Sequence, residues 1–338
     1  MSKFKKICIY ACCLCFIYFM CKNFNLISEN VKNSAMLCVS VIVPSLFPFF
    51  IISEFLIYFA PNRYGKVTEF IYQKLFKFSK NTIPIFIIGL ISGYPVGASA
   101  VLSSYQSGMI SKNDAEELIC FTNNSGPLFV ICAVGSGMLG SIKIGLILYA
   151  IHISSAIFTG TIIGRTRKFI GNTSVSFKRK TFDTCIIENS FFKCIKISAC
   201  VIFFSIVTLI IQKIFSGKMG IVISSLLEIT NGISMVITNF KPDTALCIIS
   251  FLLSFSGISV LMQVLAITQG KLSLKKYLIY KTISGLISAV LTAVYTLCTK
   301  SHYYIYNMKS IEILLPLMII TTYILLFFGL LIRVKKRL

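Results

Sequence analysis

The chain has 338 residues, 56% of them hydrophobic and 13% charged, with no Trp and a mean hydropathy of +0.85. That balance excludes an ordinary soluble globular domain and indicates a polytopic membrane protein, all-α, with no stretch left over for a sizeable soluble domain. The net charge of +22 does not indicate nucleic acid, because Lys and Arg fall in short blocks between apolar segments, as positive-inside topology places them.

In chain order, Lys3, Lys5 and Lys6 precede a first apolar stretch at 7–21. Its C-terminal end, FIYFMCK at 16–22, lacks a small-x-small cleavage site, so the stretch reads as an uncleaved helix rather than a signal peptide. Five of the 13 cysteines (Cys8, Cys12, Cys13, Cys15, Cys21) lie in it, and no CxxC pair is matched by a second. They read as small apolar packing residues rather than metal ligands. Runs of membrane length follow at 37–59, 83–103, 118–140, 142–164, 195–214, 219–240, 245–268, 278–299 and 311–332.

Basic blocks stand at Lys3 to Lys6, Arg63 to Lys80, Arg165 to Lys180, Lys271 to Lys276 and Arg333 to Arg337. If all face the cytoplasm, an even number of crossings separates each neighbouring pair. Three apolar runs lie between the second and third blocks and three between the third and fourth, so one in each set turns back. The runs to demote are 83–103, with Gly89, Gly93, Pro95 and Gly97, and 219–240, with Glu228, Thr230, Asn231 and Gly232. Irregular backbone at membrane depth is tolerated only where protein or a watery cavity satisfies it.

The two demoted runs hold the same place in two similar halves. Gly97 aligns with Gly232, Ser125-Gly126 with Ser256-Gly257, and Tyr149 with Tyr280, at offsets between 131 and 135. The expected architecture is about eight transmembrane helices plus two re-entrant hairpins in an inverted repeat, with both termini cytoplasmic. Its parts are a single membrane domain, 1–338, comprising an N-terminal helix at 7–21, a first repeat at 37–164, a basic cytoplasmic linker at 165–190, a second repeat at 191–300, and a C-terminal helix with a basic tail at 301–338. Inverted repeats with broken helices near mid-membrane are a mark of secondary transporters.

The breaks supply the candidate ligand site. Around SGYPVG, half-helix ends expose backbone N–H groups suited to an anionic or polar ligand, with Gly93 and Gly97 permitting close approach, Pro95 fixing the turn and Ser92 and Ser99 adding hydroxyls. In CFTNNSGPLFV, Thr122, Asn123, Asn124 and Ser125 precede Gly126-Pro127, so side-chain amides sit beside freed backbone. The structural alternatives are a packed kink in the first case and capping or helix joining in the second. Glu228 and Glu54 are candidates for Na⁺ or proton coupling, against tip capping and solvent contact; His152 is a candidate proton relay, against an interhelical hydrogen bond. Asp114, Glu116 and Glu117, after Ser111, read as a solvated connector helix. No nucleophile and base pair, phosphate-cradling loop or zinc motif is present, so no enzyme, metal or cofactor is expected.

ISGYPVGA at 91–98, FTNNSGPLFVICAVGSGMLG at 121–140 and LLEITNG at 226–232 resemble the signatures of the sporulation integral membrane protein YlbJ family, also called SpoVV, across nearly the whole chain. That family sits in a wider group with nucleoside-recognition Gate domains, whose relatives include concentrative nucleoside transporters with paired re-entrant hairpins. The resemblance implies a role in endospore formation, carrying dipicolinic acid, a small anionic aromatic dicarboxylate, out of the mother cell across the outer forespore membrane. It places Gly93, Tyr94, Pro95, Gly97, Asn123, Asn124, Ser125, Gly126, Glu228, Thr230, Asn231 and Gly232 at the site. The second repeat has SFSGISV where the first has NNSGPLF, so an asymmetric site is expected, richer in polar contacts on the first side. Besides the lipid bilayer and this substrate, no partner is specified; the alternatives are a non-transporting membrane assembly partner and a nucleoside transporter.

Overall fold

The computed structural model describes residues 3–59, 65–167 and 185–299, and the described residues form helices and connections with no strand. The expected helix at 311–332, the basic tail and most of the 165–190 linker lie outside the described residues.

α1 (Lys3–Lys22) meets α2 (Phe24–Leu37) at Asn23, where the axis turns by 94°. α2 passes through a π turn, Cys38–Ile42, into α3 (Val43–Tyr58). Pro44 lacks the N–H that a regular ladder would use, and the spacing widens there, with Val43 N–H donating to the Cys38 carbonyl. The expected helix at 37–59 therefore begins well before residue 37. Hydropathy misses its first part because Glu29, Asn30, Lys32 and Asn33 interrupt the apolar run, whereas those residues are compatible with a helix that packs one face on a neighbour.

α4 (Lys66–Phe76) precedes the first broken pair, α5 (Ile83–Ile91) and α6 (Val96–Gln106). α7 (Lys112–Thr122) and a π helix, π2 (Leu128–Met138), form a broken span around 123–127, followed by the long helix α8 (Ile142–Thr166). The same order then recurs: α9 (Ile186–Ile214), a second broken pair, α10 (Gly217–Leu227) and α11 (Ile229–Asn239), a broken span, α12 (Pro242–Phe255) and α13 (Gly257–Thr268), and the long helix α14 (Lys275–Thr299).

Among the described residues, four helical stretches are long and apolar enough to cross a bilayer: α8, α9, α12 with α13, and α14; the α1 and α2 pair makes a fifth if counted as one bent span. The chain is an integral, multi-pass membrane protein. Several other apolar runs are divided into shorter helices, including α5, π2 and α10, because glycine, proline and polar residues interrupt them.

The centre is made by α8, α12 and α14. Lipid gives apolar helices no reason to prefer one another over hydrocarbon, so such interfaces rely on small residues and interhelical hydrogen bonds. Ser250 and Ser288 hydroxyls lie 2.6 Å apart across α12 and α14, and Ser155 of α8 lies 3.2 Å from both Ser254 and Ser284. Gly285 lets the Phe251 ring lie on α14, since a Cβ there would come within 2.9 Å of the ring.

α7 is not a solvated connector. Ala115, Leu118, Ile119, Cys120, Phe121 and Thr122 are buried, and its acids are paired: Asp114 and Glu117 with Arg167 at the end of α8, and Glu117 also with Lys276 of α14 at 2.7 Å. The charge run is the ion-paired end of a core helix rather than a free polar face.

The fit of the first broken pair onto α7 predicts a sharp contrast between two glycines. A Cβ at Gly89 would lie 1.9 Å from the Thr122 carbonyl oxygen, while one at Gly137 would meet nothing closer than 3.5 Å. Gly89→Ala should cost at least about 3 kcal/mol, the upper end of overpacking. Thermal unfolding in detergent should show a large loss for Gly89→Ala and little change for Gly137→Ala; equal melting temperatures would refute the packing described.

Candidate functional site

The first break turns on Gly93, whose φ of +81° is a conformation that side-chain-bearing residues rarely adopt. It stands directly over Gly126, and a Cβ on Gly93 would lie 2.8 Å from the Gly126 nitrogen. The two arms close on the same segment, since Cβ atoms at Gly89 and Gly97 would reach within 1.9 and 2.2 Å of the Thr122 oxygen. The close approach that these glycines permit is therefore made by the chain's own backbone: the α5 and α6 pair grips residues 122–126. Pro95 follows Tyr94 through a cis peptide bond.

Gripping an open stretch of backbone raises the question of where its polar groups go, and most have specific partners. The Asn123 side chain accepts from Ala98 N–H at 3.3 Å and donates to the Tyr277 hydroxyl at 2.8 Å, tying α6 to α14. The Asn123 carbonyl accepts from the Lys281 ammonium at 2.8 Å. Ser125 N–H donates to His152 Nε2 at 3.0 Å, and Ser125 Oγ donates to the Leu253 carbonyl at 2.7 Å. Thr122 Oγ1 donates back to the Leu118 carbonyl within α7. Asn124 Nδ2 donates to the Phe121 carbonyl at 2.8 Å, but its Oδ1 is buried and has no partner. The first break thus brings Thr122, Asn123, Asn124 and Ser125 together, all buried, while Ser92, Tyr94 and Gly126 lie at its partly open rim.

His152 accepts from a backbone N–H through Nε2, so its proton is assigned to Nδ1, which faces Ser254 Oγ at 2.8 Å. The ring joins the break in α7–π2 to the end of α12, which is the interhelical bond weighed above against a proton relay. Glu54 is not at the breaks' polar cluster: its carboxylate takes Lys193 of α9 at 3.1 Å and Ser103 of α6 at 2.8 Å.

The second break is built differently. Glu228 is buried and caps α11, accepting from Thr230 N–H at 2.9 Å and Asn231 N–H at 2.8 Å. Gly232 lies on Ser225, whose hydroxyl reaches the Gly232 carbonyl at 3.2 Å, so α10 and α11 lie together as a hairpin. Thr230 is half-buried and Asn231 exposed. Ser256 and Gly257, both with positive φ, form the turn between α12 and α13, and a Cβ at Gly257 would lie 3.4 Å from the Leu226 oxygen. Each broken pair thus sits on the break of the span that follows it. Across the halves, α6 packs on α13 and α11 on π2, so the two breaks are neighbours.

Two members of the cluster were not anticipated from the sequence, Tyr277 and Lys281. Lys281 is the only buried Lys or Arg among the described residues. It follows Lys275 and Lys276 so closely that it reads as part of a cytoplasmic basic block. The overlooked signal was helical spacing: Tyr277, Lys281, Ser284, Gly285, Ser288 and Thr292 share the buried face of α14.

A cavity of about 80 Å³ opens at the first break, lined by Ser92, Gly93, Tyr94, Gly126, Pro127 and Phe129 among others. That is well below the roughly 300–1,000 Å³ of typical small-molecule sites, and Thr122, Asn123, Asn124 and Ser125 do not line it.

The chain is 26% identical over 311 residues, covering 78% of its length and 76% of the relative's, to the sporulation integral membrane protein YlbJ of Bacillus subtilis (strain 168). This similarity agrees with the YlbJ-like resemblance carried by the three motifs. No family model matches the chain, and no solved structure does.

The His152 bridge has a direct test. His152→Ala leaves the buried Ser125 N–H unpaired and should cost about 2 kcal/mol or more. In a double-mutant cycle with Ser254→Ala, thermal unfolding should give a coupling of at least about 0.5 kcal/mol. Strict additivity would show that the two side chains do not act as a unit.

Proposed function

We propose that this chain is a membrane transporter required for endospore formation that carries dipicolinic acid, pyridine-2,6-dicarboxylate, from the mother cell across the outer forespore membrane. The observation that carries the proposal is the meeting of two broken helical pairs and two broken spans around a buried set of amides, hydroxyls and one ammonium. The sporulation context comes from the name of the Bacillus subtilis relative. The substrate comes from the family resemblance and from fit of chemistry: a flat dianion with a ring nitrogen needs donors, and the first break offers them.

In this reading the two broken pairs are re-entrant hairpins of an inverted repeat, and α8, α12 and α14 are the frame against which they move. The substrate enters beside Ser92 and Tyr94 at the rim and displaces part of the network around Asn123 and Asn124. Asn124 is the best recognition residue, because its Nδ2 gives one N–H to the Phe121 carbonyl and keeps the second for a carboxylate oxygen. Asn123 also holds α6 to α14, so its removal would damage packing as well as recognition. Glu228 and Glu54 remain candidates for Na⁺ or proton coupling. Glu228 caps a helix end and so would link any cation it met to the second hairpin.

Dipicolinate flux into vesicles containing this chain alone tests the reading. The parent should support flux above empty vesicles, and a normally inserted Asn124→Ala variant should lose it at least tenfold. Normal flux in the variant would remove the recognition role of Asn124. No flux in the parent, with correct insertion, would favour the assembly-partner alternative, and inhibition by nucleosides would favour a nucleoside substrate.

A further inference from the structure

Lys281 stands out from every other cation among the described residues. It is 1% exposed, it lies at the centre of the helical packing, and its ammonium reaches the Asn123 carbonyl at 2.8 Å. An ammonium has three donors to place, and among the described residues this carbonyl is the only hydrogen-bond acceptor for it. No carboxylate among the described residues comes within ion-pair distance of it: Asp114 and Glu117 pair with Arg167 and Lys276, Glu54 pairs with Lys193, and Glu228 caps α11. A charged group taken out of water costs several kcal/mol unless an opposite charge or a full set of hydrogen bonds offsets it. A neutral carbonyl is a weak counterpart for such a group.

The position of that carbonyl sharpens the point. Asn123 closes α7, whose last carbonyls carry partial negative charge, and the next residue, Asn124, holds the buried, unpartnered Oδ1. One side of the break therefore presents a cation with too few acceptors and an amide oxygen with no donor. A carboxylate supplies the acceptors that the ammonium lacks, and a water entering with it can donate to the amide oxygen. A carboxylate crossing an apolar interior has the complementary need, since it too requires an opposite charge.

We propose that Lys281 is the fixed cation that receives a carboxylate of the transported anion, its ammonium passing from the Asn123 carbonyl to the substrate oxygen as the site opens. This deepens the transport reading and rests on it. The rival account is a strut: Lys281 holds the end of α7 to α14 and never meets substrate. The two differ in what they predict about charge on the solute.

The experiment compares flux of pyridine-2,6-dicarboxylate with flux of its neutral diamide in vesicles containing the parent chain, Lys281→Gln or Lys281→Arg, each checked for insertion and melting temperature. In the parent the dicarboxylate should be carried at least tenfold faster than the diamide. Lys281→Gln should abolish that preference, lowering dicarboxylate flux at least tenfold while diamide flux changes less than threefold. Lys281→Arg, which keeps the charge, should retain the preference within threefold even if its rate falls. A strut would lower both fluxes together in Lys281→Gln, and an unchanged ratio there overturns the proposal while leaving the transport reading standing. If Lys281→Gln fails to insert, collapse of the preference in Lys281→Arg overturns the proposal. A parent chain that carries no dicarboxylate overturns the reading and the proposal together.

Discussion

Backbone that leaves a helix inside an apolar interior must find its hydrogen bonds within the protein, because lipid offers none. The rest of this structure follows from that constraint at residues 122–126. Opening α7 at Asn123 frees amides and carbonyls, and each requires a partner brought in from elsewhere in the sequence. Ala98, Tyr277 and Lys281 serve Asn123, while His152 and the Leu253 carbonyl serve Ser125. Those partners come from α6, α8, α12 and α14, so satisfying one break fixes the mutual placement of four helices.

The glycines answer to the same constraint. A helix arm can close over open backbone only where it carries no Cβ, and Gly89, Gly93 and Gly97 provide three such places on two arms and their tip. The hairpin thus covers the break and excludes lipid from it. Serine plays the matching part between the long helices, where Ser155, Ser254, Ser284, Ser250 and Ser288 join α8, α12 and α14. These bonds average well under a few kcal/mol each in membrane proteins. Their value here is in setting register among helices whose outer faces are equally content in lipid.

Much of this was legible in the sequence because glycine, proline and asparagine inside apolar runs have few explanations. The positions of both broken pairs, of the break at 123–127 and of the long helices α8 and α14 could be read from those residues and from hydropathy. The reading went astray where a residue's meaning depended on a distant partner. Glu117 looked solvated because Arg167 and Lys276 lie far along the chain, yet they meet it in space. Lys281 looked like topology because charge counts ignore helical face. The early start of the helix at Phe24 was hidden because α2 uses polar residues on its outer side, where hydropathy averages them away.

The two breaks also show why a repeat in sequence need not be a repeat in chemistry. Both are covered by a broken pair, but the first is satisfied by side chains from other helices, and the second largely by Glu228 capping its own α11. A self-contained cap can move as a unit with its hairpin, since its bonds travel with it. A break tied to α6, α8, α12 and α14 cannot move without exchanging partners. In the transport reading proposed above, the first break is therefore the place where an incoming polar solute has bonds to replace, and the second is better suited to act as a rigid part that swings. Asymmetry of function within a duplicated architecture then follows from which polar groups are bonded locally and which are bonded across the molecule.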